Sequence, residues 1–221
     1  MNYAVILAGG SGSRAGGALP KQFQIVKGRR LIWWSVDAFK SFDPHCKIIL
    51  AVHPEFLKNW DSLFIEEEKA RGIEILKVPG GETRFHSVKN ALSCIEEKDA
   101  SVFIHDGARP LVSPQLIKRG SGSVSKGEGG VPAVPLVDSI RMISPEGSIA
   151  VDRSSFMAVQ TPQVFISEDI KQAYDAIDDP SGFTDDASVA EKFGIKINLF
   201  EGDSRNIKVT NPEDFKLLEW I

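Results

Sequence analysis

Glycines and cations are concentrated in one short segment near the start of the chain, Ala8-Gly9-Gly10-Ser11-Gly12-Ser13-Arg14-Ala15-Gly16-Gly17-Ala18-Leu19-Pro20-Lys21. Glycines allow backbone N–H groups to approach a bound anion closely, because no Cβ blocks the way. Arg14 and Lys21 add two positive charges to the same loop. The loop follows the apolar run 3–7, which is typical of a buried parallel strand. These residues predict a phosphate-binding loop.

Two well-known phosphate-binding motifs fit this loop poorly. Residues 10–15 match the G-x-G-x-x-A pattern of dinucleotide-binding proteins, in which a helix begins within the glycines. Here Gly16, Gly17 and Pro20 disfavour a helix at that point, and no acidic residue ends the second predicted strand. A P-loop would need Gly-Lys-Ser/Thr, whereas Lys21 lies between proline and glutamine. We therefore expect neither a nicotinamide or flavin site nor a P-loop.

Three further polar or glycine-rich clusters also follow predicted strands. They are 80–84 (Gly-Gly-Glu-Thr-Arg), 105–110 (His-Asp-Gly-Ala-Arg-Pro) and 138–139 (Asp-Ser). Ligands of open α/β sheets bind beyond the carboxyl ends of the strands. A single cluster of this kind would be typical of an ordinary loop, but several at strand ends predict one shared site.

The elements that must position these clusters alternate between strand and helix. Apolar runs predict strands at 3–7, 47–52, 73–78 and 102–104, with helices between them at 31–41, 54–71 and 84–97. Arg71-Gly72 is a helix-stop signal. Such alternation is typical of right-handed βαβ units. We predict an α/β fold of the Rossmann-like kind, with a mixed, mostly parallel twisted sheet flanked by helices.

The second half of the chain is less regular. Its patterns predict a turn at 125–130, strands at 131–134 and 195–200, and helices at 113–125, 167–177, 185–193 and from Pro212 onward. Residues 139–151 are typical of a β-hairpin that turns at Pro145-Glu146-Gly147. A hairpin there would project as an arm around 138–152, available for oligomerisation, unless it folds back on its own domain. We find no repeat or linker, so residues 1–221 are predicted to form one domain.

Composition excludes several classes of protein. The chain has 221 residues, of which 42% are hydrophobic and 25% charged, as in soluble globular proteins. A formal net charge of −4 argues against a nucleic-acid surface. No segment approaches the ~20 apolar residues of a membrane span. Cys46 and Cys94 lack metal-type spacing and predict no disulfide, and the N-terminus lacks a secretory pattern, so we expect a cytoplasmic location.

Six motifs, in order along the chain, carry a family resemblance. The first loop, with Pro20-Lys21-Gln22, resembles the signature of sugar-phosphate nucleotidyltransferases. The other five are Gly80-Gly81-x-x-Arg84-x-x-Ser87-Val88, His105-Asp106-Gly107-Ala108-Arg109-Pro110, Gln160-Thr161-Pro162-Gln163, Thr184-Asp185-Asp186-Ala187 and Asn206-Ile207-Lys208-Val209-Thr210-x-Pro212-Glu213-Asp214. Together they resemble the methylerythritol phosphate cytidylyltransferases of the non-mevalonate route to isoprenoid precursors, over essentially the whole chain.

The resemblance implies a reaction in which a phosphate oxygen of 2-C-methyl-D-erythritol 4-phosphate attacks the α-phosphorus of CTP and releases pyrophosphate. Such transfers depend on positioning and electrostatic stabilisation. By resemblance, the catalytic cations are Arg14, Lys21, Arg153 and Lys208. The implied nucleotide-binding residues are Ala8, Gly9, Gly10, Gly12, Gly81, Arg84 and Ser87, and the implied substrate-binding residues are Asp106, Arg109, Ser139, Thr161 and Thr184.

Several of these roles have structural alternatives. Arg84 and Ser87 begin a predicted helix and could serve as its start and cap, and Asp106 could be a helix cap rather than a ligand of sugar or metal. Mg²⁺ is expected, held by Asp106 or mostly by phosphate oxygens. Ser139 replaces the threonine common in the family, which keeps the hydroxyl. The resemblance also implies a homodimer joined through the arm.

Two alternatives to the implied function remain open. Ribitol 5-phosphate cytidylyltransferases share most of the motifs, although Gly107-Ala108 and Thr184-Asp185-Asp186-Ala187 favour the methylerythritol enzyme. A module that binds CTP without turnover is the second alternative. It would not need the acceptor-side cations Arg153 and Lys208.

Overall fold

Helices and strands alternate through the computed structural model, which describes residues 1–10 and 19–220. The strands are β1 (Asn2–Ala8), β2 (Ile25–Val26), β3 (Arg29–Arg30), β4 (Lys47–Val52), β5 (Ile75–Pro79), β6 (Ser101–Asp106), β7 (Glu128–Pro135), β8 (Ile140–Ser144), β9 (Gly147–Val151), β10 (Met157–Val159), β11 (Gln163–Ile166) and β12 (Lys196–Glu201). The helices are α1 (Leu31–Phe42), α2 (Pro54–Lys58), α3 (Trp60–Arg71), α4 (Arg84–Leu92), α5 (Pro114–Ser121), α6 (Ser167–Asp175), α7 (Asp186–Phe193) and α8 (Pro212–Trp220). Short 3-10 helices span Lys21–Phe23 and Arg153–Ser155.

The main sheet has the order β10-β7-β11-β6-β1-β4-β5 in the described part of the chain, with β12 paired to β7. β1 lies between β4 and β6 and pairs with both in parallel. β10 and β11 run antiparallel to their neighbours. The predicted fold class, a mixed and mostly parallel sheet flanked by helices, is confirmed.

Alternating side chains of the central strands build the core on both faces of the sheet. Tyr3 and Val5 of β1 pack with α4, α6 and α7 on one face. Ala4 and Ile6 pack on the other face with α1, α3 and α5. Both faces of β1 are therefore buried, which explains why its sequence is an almost continuous apolar run.

The ends of several elements differ from the sequence prediction. The single helix predicted at 54–71 is wrong, because Asn59 (φ −104°, ψ 13°) separates α2 from α3. The Asn59 side chain donates to the Glu55 carbonyl at 2.9 Å, a local bond that competes with a continuous helix. Gly72 ends α3 in the left-handed region at φ 61°, as its stop signal predicts. The helices predicted at 84–97 and 113–125 end earlier, and β7 already begins inside the predicted turn at 125–130.

Two strands of the main sheet had no counterpart in the sequence prediction. β10 has three residues and β11 has four, too few to show a clear periodicity. β11 inserts antiparallel between β6 and β7. Its place in the sheet depends on pairing with distant strands rather than on its local sequence.

The hairpin predicted at 139–151 is confirmed as β8 and β9, which form a separate two-stranded sheet from Ile140↔Val151 to Ser144↔Gly147. Almost all of its residues are exposed. Ile143 and Ile149 keep 76% and 57% of their surface accessible. The hairpin therefore presents apolar side chains outward instead of covering its own domain.

Candidate functional site

Three of the four predicted clusters line one cleft of about 750 Å³ at the carboxyl ends of β1, β4, β5 and β6. The fourth cluster, Asp138-Ser139, is not among its lining residues. The cleft is lined by Leu7, Gly9, Gly10, Lys21, Gln22, His53, Pro54, Gly80, Gly81, Glu82, Thr83, Arg84, Ser87, Asp106, Gly107, Ala108 and Lys208. The predicted meeting of loops at one edge of the sheet is thus observed for these three clusters.

Close packing of glycines forms the wall of the cleft beside β1 and β5. A Cβ at Gly9 would lie 3.2 Å from the Ser87 hydroxyl, and a Cβ at Gly81 would lie 2.3 Å from the His86 Cβ. Neither position has room for a side chain, so the backbone itself faces the cleft.

The 3-10 helix Lys21–Phe23 ties the first loop to the rest of the site. The Gln22 side-chain amide donates to the carbonyls of Ala8, at 2.8 Å, and Gly10, at 3.0 Å. Lys21 Nζ donates to the Val209 carbonyl at 2.8 Å. These bonds hold the predicted nucleotide-binding residues Ala8 and Gly10 next to Lys21. The predicted residues Gly12 and Arg14 lie outside the described residues.

The Ser87 hydroxyl organises the loop between β5 and α4. It donates to the Thr83 carbonyl at 3.0 Å and accepts from the Gly81 N–H at 3.0 Å. Thr83 also caps α4, so the helix start expected at Arg84 is observed. A hydroxyl has one proton and two lone pairs. Ser87 therefore keeps one acceptor position for a ligand.

Arg84 is held by two carboxylates. Its terminal nitrogens donate to both oxygens of Asp186 at 2.8 and 2.6 Å. Its Nε lies 3.5 Å from Asp106 Oδ1. Asp186 is fully buried and also accepts from the Tyr174 hydroxyl at 2.6 Å. Burial alone would lower the pKa of Arg84, but the charge and hydrogen bonds of Asp186, together with the charge of Asp106, outweigh it and raise that pKa.

Asp106, at the end of β6, lies among three cations. Lys208 Nζ is 2.7 Å from its Oδ2, Arg109 Nε is 3.9 Å from the same oxygen, and Arg84 faces its Oδ1. Burial would raise the pKa of this carboxyl, but the charges of Arg84 and Lys208 hold it well below the usual range. Asp106 is therefore ionised across the physiological range and positions the cations around it.

A hydrogen-bonded chain fixes the backbone beside Asp106. The Asp106 N–H donates to Thr161 Oγ1 at 3.0 Å, and Thr161 Oγ1 lies 3.1 Å from His105 Nδ1. His105 Nε2 lies 3.1 Å from the Arg109 carbonyl. Because a carbonyl only accepts, the neutral ring carries its proton on Nε2 and Nδ1 accepts from Thr161. Burial lowers the pKa of His105 to about 4, so the ring is neutral at physiological pH and can make both of these bonds.

A smaller cavity of about 180 Å³ adjoins the cleft and shares Arg84, Asp106 and Lys208 with it. It also contains three predicted substrate-binding residues. These are Arg109, Thr161 and Thr184. The Arg109 guanidinium is anchored at the Asn206 carbonyl by a 2.7 Å bond.

Two predicted residues lie elsewhere in the chain. Ser139 and Arg153 flank the exposed hairpin, and neither lines the cleft or the smaller cavity. Arg153 donates to the Val137 carbonyl and is exposed. A single copy of the chain does not bring Arg153 together with Lys208.

Sequence reasoning missed three residues that shape the site. Gln22 and Asp186 lie inside the motifs quoted above, so the sequence held a signal for both residues. No role was predicted for either of them. Tyr174 is in no motif, and only its contact with Asp186 reveals it.

The described residues contain no group of three or more His, Cys, Asp or Glu side chains placed to hold a metal ion. The oxygens of Asp106 already face Arg84, Lys208 and Arg109, so this donor set fits a directly bound cation poorly. Metal ligation by Asp106 stays a prediction. In the same part of the chain, no helix combines the length and apolar character needed to cross a bilayer.

Known proteins resemble the chain along its whole length. Residues 2–221 match the family model of 2-C-methyl-D-erythritol 4-phosphate cytidylyltransferase. A relative of that name from Bacteroides thetaiotaomicron is 41% identical over 213 residues, which are 96% of this chain and 95% of the relative. The structure of the Francisella tularensis enzyme of that name superposes with a TM-score of 0.78 at 29% identity, covering 100% of this chain and 99% of the other. The Thermus thermophilus enzyme gives a TM-score of 0.75 at 28% identity, covering 100% and 98%.

Proposed function

Because the chain belongs to the 2-C-methyl-D-erythritol 4-phosphate cytidylyltransferase family, we propose that it transfers CMP from CTP to 2-C-methyl-D-erythritol 4-phosphate. The products are 4-diphosphocytidyl-2-C-methyl-D-erythritol and pyrophosphate. The observation that carries the proposal is the pair of adjoining cavities that share Arg84, Asp106 and Lys208. The larger is of the size typical for nucleotide-sized ligands. The shared residues would then lie between the two reacting phosphates.

Cytosine would bind where Gly9, Gly81 and Ser87 meet. The free acceptor position on the Ser87 hydroxyl suits the 4-amino group of cytosine, which donates hydrogen bonds. Uracil presents a carbonyl there and would leave this acceptor position of Ser87 without a donor. The backbone groups of Gly9 and Gly81, which line the cleft, would lie beside the pyrimidine ring.

The triphosphate would extend along the first loop toward Lys21 and Arg14. Lys21 lines the cleft beside Gly10. Two cations there would neutralise the charge that develops on the α-phosphoryl group and on the leaving pyrophosphate.

The acceptor phosphate would bind on the side of the smaller cavity. Lys208 and Arg109 line this cavity together with Arg84, and Thr161 and Thr184 are polar neighbours for the sugar alcohol. An acceptor phosphate oxygen then forms a bond to the α-phosphorus as the bond to the β-phosphate bridging oxygen breaks. The electron pair of the broken bond leaves with pyrophosphate, so the protein supplies positioning and positive charge.

Mg²⁺ would enter as part of the nucleotide. A metal bound at Asp106 would face three cations, whereas the triphosphate offers several oxygen ligands of the kind that Mg²⁺ prefers. The substrate is therefore proposed to be the magnesium chelate of CTP.

The functional molecule is proposed to be a cytoplasmic homodimer joined through the β8–β9 arm. Exposed apolar groups of this kind mark contact surfaces, and the arm carries Ile143 and Ile149. In such a dimer, Arg153 and Ser139 at the base of the arm would reach the partner's cleft. This arrangement would supply the acceptor-side cation that a single chain does not bring to its own site.

Release of pyrophosphate from CTP tests the proposal, with methylerythritol phosphate, ribitol 5-phosphate or no acceptor. We expect release only with methylerythritol phosphate. Faster release with ribitol 5-phosphate would assign the chain to that acceptor. Binding of CTP without release under any condition would identify a non-catalytic module and contradict the proposal.

A further inference from the structure

We propose that Tyr174 and Asp186 are positioning residues for the acceptor, acting through Arg84. The inference rests on the proposed function, because it names residues that set affinity for the second substrate. Neither side chain lines the cleft or the smaller cavity. In the described part of the chain, the side-chain hydrogen bonds of Asp186 link both residues to the Arg84 guanidinium, which lines both cavities.

Tyr174, Asp186 and Arg84 form one continuous series of hydrogen bonds from the core to the acceptor side of the site. The Tyr174 hydroxyl on α6 donates to Asp186 Oδ1, and Asp186, the first residue of α7, binds both terminal nitrogens of Arg84. Bidentate pairs of this type fix the guanidinium plane as well as its position. The remaining nitrogen of Arg84, Nε, points at Asp106 Oδ1.

Burial makes this series of hydrogen-bonded side chains rigid. Asp186 is fully buried and Tyr174 is 1% exposed. The tyrosine ring stacks on Phe85, the neighbour of Arg84, with centroids 4.5 Å apart. A buried carboxylate is costly unless each oxygen is satisfied. The three donors from Arg84 and Tyr174 therefore hold Asp186 in place.

The effect should reach the acceptor side because the two carboxylate oxygens of Asp106 face different cations. Arg84 lies at Oδ1, whereas Lys208 and Arg109 lie at Oδ2. If Arg84 is released from Asp186, it can turn fully to Asp106 and compete with Lys208 for that carboxylate. Lys208 and Arg109 are the residues proposed to hold the acceptor phosphate.

The nucleotide side is fixed by a separate set of bonds. Gln22 holds Ala8 and Gly10, and Ser87 joins Gly81 to Thr83. Arg84 lines the cleft as well as the smaller cavity and has a predicted nucleotide-binding role, but none of these bonds includes its side chain or those of Asp186 and Tyr174. Loosening the Tyr174–Asp186–Arg84 chain should therefore change acceptor binding more than CTP binding.

Tyr174→Phe is the test, because it removes only the hydroxyl and keeps the ring against Phe85. We expect the KM for methylerythritol phosphate to rise about 3- to 10-fold, less than the roughly 10- to 150-fold equivalent of a lost hydrogen bond to a charged group, because the Tyr174 hydroxyl acts on the acceptor through Arg84. The KM for CTP should change less than about twofold. Tyr3→Phe is the matched control, since the Tyr3 hydroxyl also donates to a carboxylate, that of Glu97, outside the site. It should leave both KM values unchanged.

A double variant asks whether Tyr174 acts through Arg84. In an Arg84→Lys background, which lacks the bidentate pair, Tyr174→Phe should add no further change in acceptor KM. Three outcomes would overturn the inference. The first two are an equal change of both KM values in Tyr174→Phe and an unchanged acceptor KM in that variant. The third is a change of the acceptor KM in Tyr3→Phe as large as that in Tyr174→Phe. An inactive wild-type enzyme in the same assay would instead count against the proposed function itself, so the two failures are distinguishable.

Discussion

Two buried carboxylates, Asp106 and Asp186, have different roles at the scale of single residues. Both oxygens of Asp186 accept hydrogen bonds, from Arg84 and Tyr174, and the residue lines neither the cleft nor the smaller cavity. Asp106 faces the cleft, and its cations include the exposed side chain of Lys208. Asp186 therefore fixes the position of Arg84, whereas Asp106 arranges cations that a phosphate ligand can bind.

Ser87→Ala should raise the KM for CTP about tenfold, since a lost hydrogen bond costs about 1–2 kcal/mol. It should also reduce the preference for CTP over UTP, because the acceptor for the 4-amino group is removed. Steady-state kinetics with both nucleotides measures this. Ser93→Ala is the control, because Ser93 ends the same helix and its hydroxyl binds only local groups, such as the Asn90 carbonyl at 2.8 Å. Unchanged discrimination in Ser87→Ala would show that Ser87 does not contact the base.

At the scale of elements, one polar network joins β6, β11 and the segment before α8. His105 and Thr161 link β6 to the start of β11. The Asn206 side chain donates to the Thr161 carbonyl at 2.8 Å. This network positions Asp106 and Lys208 together although they are distant in sequence. Of the three linking side chains, that of His105 can titrate, which makes the network sensitive to pH.

The stability of this network should fall with acid. His105 has a pKa of about 4 in the folded protein against an ordinary value of 6.5, because burial disfavours the charged ring. Its contribution is fully present above pH 6.5 and is lost as the pH falls toward 4. Urea unfolding at about pH 7 and about pH 4.5 should show a smaller loss of unfolding free energy in His105→Gln than in wild type. His45→Gln, at an exposed histidine, is the control and should match the wild-type slope.

At the scale of the whole molecule, the proposed dimer would bring the arm of one chain to the site of the other. The cleft contains Lys208, but Arg153 lies at the base of the exposed hairpin. Isologous dimers place the same surface of each chain against the other. A dimer through the arm would therefore complete two equivalent sites at once.

Ile143→Glu should convert the proposed dimer to a monomer, because it places a charge at the most exposed isoleucine of the arm. Light scattering should then give the mass of one chain instead of two. Leu63→Glu, at a partly exposed leucine on α3, is the control and should leave the mass unchanged. A dimer that persists in Ile143→Glu would place the interface elsewhere.

Mixing two inactive variants tests whether Arg153 acts across the dimer. Arg153→Gln and Lys208→Gln should each lose about 10²–10³ in rate, as when one stabilising donor is removed. Random exchange of subunits produces mixed dimers with one intact site, so about a quarter of wild-type activity should return. No recovery after verified exchange would show that both residues act in the same chain.

The sequence alone was sufficient for the strand–helix alternation, for the strand-end clusters at 80–84 and 105–110, and for two cations at the cleft, Lys21 and Lys208. Apolar runs such as residues 3–7 and stop signals such as Gly72 are local, so their consequences could be read directly. The packing of Gly9 and Gly81 follows from the absence of a side chain. The motifs also predicted Asp106, Arg109 and Lys208 as parts of one site.

Only the tertiary structure decided how these charges pair. The ion pair between Asp186 and Arg84 joins residues 102 positions apart. β11 lies between β6 and β7 because it pairs with these strands, which are distant in sequence. The role of Tyr174 depends on a contact across two helices. Pairing of this kind is set by the global packing of the chain, because burial determines which charges must neutralise each other.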